Sequence, residues 1–441
     1  MTTRITTQNI TDATITTTDI ASNTITTGDL ATSVPLALSW QSVKTSDFTA
    51  VAGEAYPINT TGGVVIMTLP SSPSVGNTVQ FVDYAGTFGT NKVTIGRGGS
   101  NIQGVTADGT VNTSRQTVTL VYIDATQGWI PANDGAAGQY GAQFVTATGG
   151  TVTTSGNDKI HTFNSSSNFV VSSAGNSVGS NAVEYLVVAG GGGAGGPQSN
   201  NIAGGAGAGG YRTNHTNCAS HPGTAGVSVS ASTYPVVIGA GGSGGTSHSP
   251  NSPNQVGTDG SVSSALGISS AGGGGGAGGS PNANPSIYTG RNGGSGGGGG
   301  GGHAASPSKG AGNTPPVSPS QGNPGGDGGN QPTAPGGDQK AGGGGGAGAA
   351  GSNSLEPANS GPGGVGLASD ISGSSTFRAG GGAGGYTPSH GAHAAGGNGG
   401  GGSSPAGAGT ANTGGGGAAG VCGAQGGTGG SGVVIIRYKY Q

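Results

Sequence analysis

Charge is scarce in this chain. Of 441 residues, 13 are Lys or Arg and 16 are Asp or Glu, 7% together, for a net charge of −3. So thin a scatter of cations cannot build a dense phosphate-binding surface, which argues against nucleic acid as a partner. Only two cysteines are present, Cys218 and Cys422, too few for a disulfide framework; the sequence is compatible with a pair or with two small buried thiols. No stretch of 18 apolar residues occurs, so no membrane insertion is expected. Met1-Thr2-Thr3-Arg4 opens into polar Thr-rich sequence, unlike the apolar core of a signal peptide. Glutamate is limited to Glu54, Glu184 and Glu356, leaving few candidates for the carboxylate pair of a glycan-cleaving fibre enzyme. No G-x-x-x-x-G-K-[ST] is present, and G-x-G-x-x-G arises by chance in any glycine run. The expectation is a protein that is not an enzyme, with no catalytic residues, cofactor or metal.

What is abundant is glycine, 105 residues, beside 23 Pro. Disorder usually goes with high net charge and few β-branched residues, whereas this chain has little charge and many Val, Ile and Thr. Collagen needs Gly at every third position, whereas here it comes in solid runs such as Gly272 to Gly276. The distribution is uneven. The first 189 residues hold 21 Gly, so the remaining 252 hold 84, one in three.

The first 35 residues repeat. Ile5, Ile10, Ile15, Ile20, Ile25 and Leu30 recur every fifth position, with Asn9, Asp19 and Asp29 just before three of them. A period of five fits neither helix nor strand, so each pentad must contain a turn, which Asn and Asp favour. One apolar residue in five cannot bury a core within one chain, but three chains around an axis can. We read 1–35 as a thin homotrimeric stalk cored by these six residues. A pentapeptide-repeat coil is the rival, and it fits less well because Gln8, Ala13, Thr18, Asn23 and Gly28 are not consistently small and apolar.

Residues 36–134 read as a small β-barrel or β-sandwich. Its expected strands are 38–43, 63–69, 77–83, 92–97, 116–124 and 128–131. At period two, Val64, Ile66, Val79, Phe81, Val93, Ile95, Val118, Leu120 and Tyr122 are expected to face inward, with Trp40 and Trp129 closing the core. Asp83, Asp108 and Asp124 lack an EF-hand spacing and read as turn residues. A second β segment, 135–189, has expected strands at 144–147, 159–163, 169–172 and 183–189. The chain closes on another, 432–440. The last two bracket the glycine region and are predicted to lie side by side, with 234–238 as a possible third strand.

Within 190–432 the glycines form about ten runs of similar length, separated by loops rich in Asn, Ser, Thr, Pro, His and Tyr. A linker does not need such regularity. Packed polyproline-II-like helices do. With three residues per turn and no internal hydrogen bonds, their N–H and C=O groups point outward. If six helices surround one, no face has room for a Cβ, and Ala is expected only on outward faces. A run of seven residues spans about 22 Å. Ordering glycine is entropically costly, so hydrogen bonds at about 0.5–1.5 kcal/mol each must supply the stabilisation cooperatively. The fold class expected is all-β with a C-terminal glycine-rich polyglycine-II helix sandwich over 190–441, an N-terminal thin trimeric stalk and essentially no α-helix.

The motif Val183-Glu184-Tyr185-Leu186-Val187-Val188-Ala189-Gly190-Gly191-Gly192-Gly193, the many runs and the closing Ser431-Gly432-Val433-Val434-Ile435-Ile436-Arg437-Tyr438 resemble the glycine-rich domain of tailed-phage receptor-binding proteins. The segment from Phe48 through Asp83-Tyr84-Ala85-Gly86-Thr87-Phe88 to Gly128-Trp129-Ile130 resembles a tail-fibre module of phages of marine bacteria, and the Ile-Thr-rich start is similar to phage fibre stalks. The resemblance implies a virion tail fibre, extracellular. Its loops would touch a host-cell surface receptor (a glycan or outer-membrane protein), and its N-terminus would join other virion tail proteins. Adhesins of this type can be monomeric caps; the stalk-like repeat favours a homotrimer here.

The loops between runs carry the side chains, including six of the seven His. Alternate loops must emerge at opposite ends of the array, so about half can face a receptor. We expect these near 211–235, 280–292 and 386–395, giving Tyr211, Arg212, His215, His221, Tyr288, Arg291, Tyr386, His390 and His393 as candidate contacts. His390 and His393 have a metal-compatible spacing without an identifiable third ligand. A purely structural virion or capsid decoration fibre, or a cellular extracellular glycine-rich or ice-binding protein, are the alternatives.

Overall fold

The computed structural model describes residues 38–132, 143–176, 179–198, 201–215, 226–247, 255–279, 285–301, 308–329, 340–354, 360–386, 393–421 and 423–441. The stalk residues Ile5 to Leu30, together with Cys218, His221, His390 and Cys422, lie outside these. The chain divides into two compact units, 1–141 and 142–441.

In the first unit the strands are β1 (Ser39–Trp40), β2 (Phe48–Thr49), β3 (Glu54–Ile58), β4 (Val65–Thr68), β5 (Thr78–Asp83), β6 (Val93–Gly96), β7 (Gly109–Val111), β8 (Thr117–Asp124) and β9 (Gly128–Pro131). The first six strands alternate between two open sheets, ordered β1-β3-β5-β8-β9 and β2-β4-β6-β7. Because each connection crosses to the other sheet and returns, β1, β3 and β5 run parallel, as do β2, β4 and β6. The unit is a sandwich. Tyr56, Ile58, Val79, Phe81, Val118, Leu120 and Trp129 of one sheet pack against Val65, Met67, Val93, Ile95 and Val111 of the other.

Two sequence expectations are corrected here. Val64 and Ile66 are 50% and 40% exposed, while Val65 and Met67 point inward. The run Val64-Val65-Ile66-Met67 is apolar in both parities, so alternation could not fix which face is buried, and a one-residue slip exchanges the faces. Trp40 is 57% exposed because it lies on the two-residue edge strand β1, paired on one side only; Trp129 alone closes the core. Asp83 and Asp124, expected in turns, are the last residues of β5 and β8, and their side chains bind the turns that follow. Asp83 accepts the N–H groups of Gly86, Thr87, Phe88 and Arg115. Burial favours its neutral form, but these four bonds prevail and hold its carboxyl below the usual range. Asp108 and Asp124 accept backbone N–H groups of Arg97 and of Thr126 and Gln127.

The second unit begins with β10 (Val145–Thr148), β11 (Thr151–Ser155), β12 (Asp158–Phe163), β13 (Ser167–Ala174) and β14 (Ala182–Val188). Short strands follow within the glycine region: β15 (Tyr211–Thr213), β16 (Val227–Ser228), β17 (Thr233–Val236), β18 (Ser263–Ala265), β19 (Ile268–Ser270), β20 (Leu367–Ser369) and β21 (Thr376–Arg378). The four-residue helix α1 (Pro285–Tyr288) is the one helix among the described residues, and β22 (Val433–Lys439) ends the fold. The bracketing strands β14 and β22 are antiparallel neighbours, with Glu184 opposite Arg437 and Val188 opposite Val433. They form the centre of the sheet β11-β12-β22-β14-β15. The segment 234–238 does not join them; β17 pairs with β13 in a separate sheet, β10-β13-β17.

The bracketing sheet is covered on both faces, which explains why its two central strands read as unbroken apolar runs rather than alternating ones. Val183, Tyr185, Val187, Val434, Ile436 and Tyr438 pack with Phe169, Val171 and Val236 of the smaller sheet. Leu186, Val188, Val433 and Ile435 pack with Ala208, Tyr211, Leu367 and Ile371 of the glycine region.

The glycine runs pack as a lattice. In run 190–196 the N–H groups of Gly190, Gly193 and Gly196 donate to Ser261, Thr258 and Gln255; those of Gly191 and Ala194 to Gly430 and Gly427; those of Gly192 and Gly195 to Gly207 and Gly204. Every third residue thus meets the same neighbour, the signature of a helix with three residues per turn. The carbonyls of Gly190, Gly193 and Gly196 accept from Gly273, Gly276 and Gly279, those of Gly191 and Ala194 from Gly242 and Gly245, and those of Gly192 and Gly195 from Gly417 and Gly420. The run therefore donates to three antiparallel neighbours and accepts from three parallel ones, six in all. Run 204–210 also has six neighbours, in a different mix of directions: 342–345 runs parallel to it, and 271–277, 414–417, 189–195, 295–298 and 382–385 run antiparallel.

A Cβ on Gly190, Gly191, Gly192 or Gly193 would lie well inside van der Waals distance of a carbonyl oxygen, of Ala240, Gly415, Gly274 and Ser243 in turn. The expectation that Ala occupies only outward faces is corrected. Ala194, Ala206, Ala208, Ala277, Ala383 and Ala418 are fully buried. Ala383 and Ala418 pack with another small side chain, Ala394, and Ala208 packs at the apolar base.

Gly192→Ala forces a methyl against the Gly274 backbone and is expected to cost about 3 kcal/mol or more. Ala240→Gly, on the exposed flank of the same array, is expected to cost under about 1 kcal/mol. Urea unfolding of the full chain distinguishes the two.

Candidate functional site

The direction of each run follows from its hydrogen-bond register. Run 190–196 leaves the bracketing sheet and 204–210 returns to it, because Gly192 bonds Gly207 and Gly195 bonds Gly204. Segments 239–245, 272–279 and 414–420 run with 190–196, and 255–261 runs against it. The lattice thus has a base, closed by the sheets, and a far end. The described residues flanking the far-end turns include Gln198, Asn201, Thr246, Ser247, Ser286, Ser308, Ser354, Ser360, Tyr386 and His393.

This parity corrects one of the three expected recognition loops. The described residues of this segment, 211–215 and 226–235, lie at the base: Tyr211 of β15 pairs with Val188 of β14, and β16 and β17 belong to the base sheets. The first far-end turn is the one after Gly196, since one excursion consumes two runs. The described residues that lead into the other two segments, Gly279 before 280–292 and Gly385 before 386–395, lie at the far end, bonded to Gly196 and Ala203.

The individual side chains divide further. Tyr211 and Tyr288 are buried, at 0% and 2% exposure, and fill gaps where runs end rather than facing a partner. Arg212 donates to the Ser269 carbonyl at 3.2 Å. Arg291 makes a two-point ion pair with Asp259, both contacts 2.8 Å, on the flank of the array. Tyr386 and His393 do meet: the Tyr386 hydroxyl lies 2.9 Å from His393 Nε2, and His393 Nδ1 donates to the Ser404 carbonyl at 3.1 Å. Nδ1 must donate, because a carbonyl only accepts. Their rings are edge-on at 4.7 Å.

His215 falls in a polar cleft at the base that the sequence reading did not anticipate. Asp158, Glu184, His215 and Arg437 line it. His215 Nδ1 lies 2.8 Å from Glu184 Oε2, and Nε2 lies 2.7 Å from Asp370 Oδ1. Arg437 Nη2 lies 2.7 Å from Asp158. With a carboxylate on each nitrogen, both must donate, which is the imidazolium. The bond to Glu184, aided by Asp370, raises the His215 pKa against the opposing effect of burial. One signal was present in the sequence: Glu184 and Arg437 each interrupt an otherwise apolar bracketing strand. His161 is the opposite case. It is fully buried, donates from Nδ1 to the Gly149 carbonyl and accepts from the Tyr438 hydroxyl, and burial lowers its pKa. Among the described residues no group of three His, Cys, Asp or Glu is placed to hold a metal, and no helix is long and apolar enough to cross a membrane.

The family described as a glycine-rich domain matches the chain over residues 171–439, from within β13 to the end of β22, taking in both bracketing strands and every run between them. No curated protein matches the chain.

The two histidines give opposite pH dependences. The fold holds the His215 proton more tightly than the unfolded chain does. Its contribution is therefore complete below the ordinary value of about 6.5 and fades as pH rises through the raised one. The fold prefers neutral His161, whose contribution is lost as pH falls below about 6.5. His215→Gln is expected to lower stability at pH 6 by about 1–2 kcal/mol more than at pH 9. Equal losses in denaturation at the two pH values would show that the charged ring is not what stabilises the base.

Proposed function

The chain belongs to the glycine-rich domain family, and on that premise we propose that it is a phage tail-fibre adhesin, a virion protein that binds a host-cell surface receptor through turns displayed on the glycine lattice. The observation that carries this reading is the polarity of the lattice. One end is closed by two sheets and a charged cleft. The far end gathers the turns of many parallel runs, flanked by Gln198, Asn201, Ser286, Ser308, Tyr386 and His393. A rigid scaffold that presents small polar groups and a few aromatics on one face has the character of a paratope, and recognition is usually placed on loops held by such scaffolds. The pentad repeat supports the rest of the reading: three chains joined through Ile5, Ile10, Ile15, Ile20, Ile25 and Leu30 form a stalk, through which the fibre attaches to other virion tail proteins. The receptor is a glycan or an outer-membrane protein exposed on the cell.

Fluorescently labelled full-length protein is expected to label the surface of some strains in a panel of marine bacteria. Ser286→Glu with Ser308→Glu, at the far end, is expected to weaken labelling by about tenfold or more. Ser228→Glu, exposed on the base strand β16, is expected to leave it unchanged. Labelling of no strain, or equal loss from the base variant, contradicts the reading.

A further inference from the structure

Arg378 ends β21, at the entry to run 380–385, and is 8% exposed. It is surrounded by the apolar base: Leu367 is its partner across the β20–β21 hairpin, and Ala379, next in the chain, packs with Tyr211 and Ile371. Its Nη1 is shielded from solvent and has no hydrogen-bond partner among the described residues. Among the described residues Nη2 reaches the Ser372 hydroxyl alone, at 3.5 Å. No carboxylate among the described residues pairs with it, although the exposed Arg291 and Lys309 and the partly buried Arg437 all have one. A guanidinium does not escape the cost of burial by losing its proton. An unpaired buried charge is among the most expensive features a fold can contain, so in native proteins such charges are compensated.

We propose that Arg378 binds a small monovalent anion, chloride in the first instance, enclosed in the base of the glycine lattice. The enclosure decides the class. Nη1, itself shielded from solvent, admits a halide that sheds its water but not sulfate, a phosphoryl group or a nucleotide, and one negative charge neutralises one guanidinium. Tyr211 is the charged group's electrostatic neighbour, and the Ser372 hydroxyl, which donates to the Ser374 carbonyl at 3.2 Å, can turn that proton toward an anion instead. The position gives the ion a structural task. Tyr211 closes run 204–210 and Arg378 opens run 380–385, and these two runs are bonded directly, Gly382 to Ala206 and Gly385 to Ala203. The ion fastens their base ends where the lattice gives way to strands.

The test compares thermal unfolding of the full-length protein in sodium chloride, bromide, gluconate and sulfate at matched ionic strength. Binding to the folded state alone raises stability by mass action. Chloride and bromide are therefore expected to raise Tm by about 2–4 °C over gluconate and sulfate, and Arg378→Met should abolish the difference. A crystal grown in bromide provides the second measurement, independent of whether the variant folds: an anomalous peak at hydrogen-bond distance from Nη1 is expected. Equal Tm in all four salts, or a bromide map empty at Arg378 with a water in its place, overturns the assignment.

Discussion

The backbone N–H···O=C bond between side-chain-free segments governs this molecule. A glycine helix with three residues per turn makes none of these bonds internally, so every one must come from a neighbour. Run 190–196 finds six neighbours, three that accept and three that donate. Each bond is worth little on net, and each glycine ordered is costly. The lattice is stable only when many runs are in place together. That is why the glycine region is one array rather than a string of small modules, and why the added Cβ at most interior positions meets a carbonyl.

A lattice without side chains has nothing to fix where it starts, and the bracketing sheet supplies that. β14 feeds the first run and β22 follows the last, and their pairing brings Val188 opposite Val433, so the array enters and leaves at one place. Apolar side chains on both faces of this sheet anchor it to a second sheet and to the base of the runs. Ionisable side chains gather where strands and runs meet: Glu184, His215, Asp370 and Arg437 around the cleft, and Arg378 at the end of β21. The base is thus where ordinary side-chain chemistry takes over from backbone packing, leaving the far end free for the turns.

Much of this was legible in the sequence. The similar length of the runs implied packing, and the apolar segments around Val183–Val188 and Val433–Ile436 marked the pair that closes the array. Other features were not legible, for specific reasons. Which turns fall at the far end depends on counting two runs per excursion, and the strands hidden at 211–213 and 233–236 disguised that count. Buried Ala was not anticipated because whether a lattice site has room for a methyl depends on neighbours far apart in sequence, such as Ala383 and Ala418. Val64 and Ile66 were assigned to the wrong face because both parities of that strand are apolar. The cleft brings together Asp158, Glu184, His215, Asp370 and Arg437 from across the second unit, and only the two charges in the bracketing strands hinted at it.

Native-state hydrogen exchange resolved to single amides tests the lattice most directly. If the runs are held by the bonds described, the amides of Gly190 to Gly196 exchange only through the opening that also exposes Val187 and Val434, with protection equal to that of the bracketing strands. Exchange of these glycines at the rate of an open coil, while β14 and β22 remain protected, would contradict it.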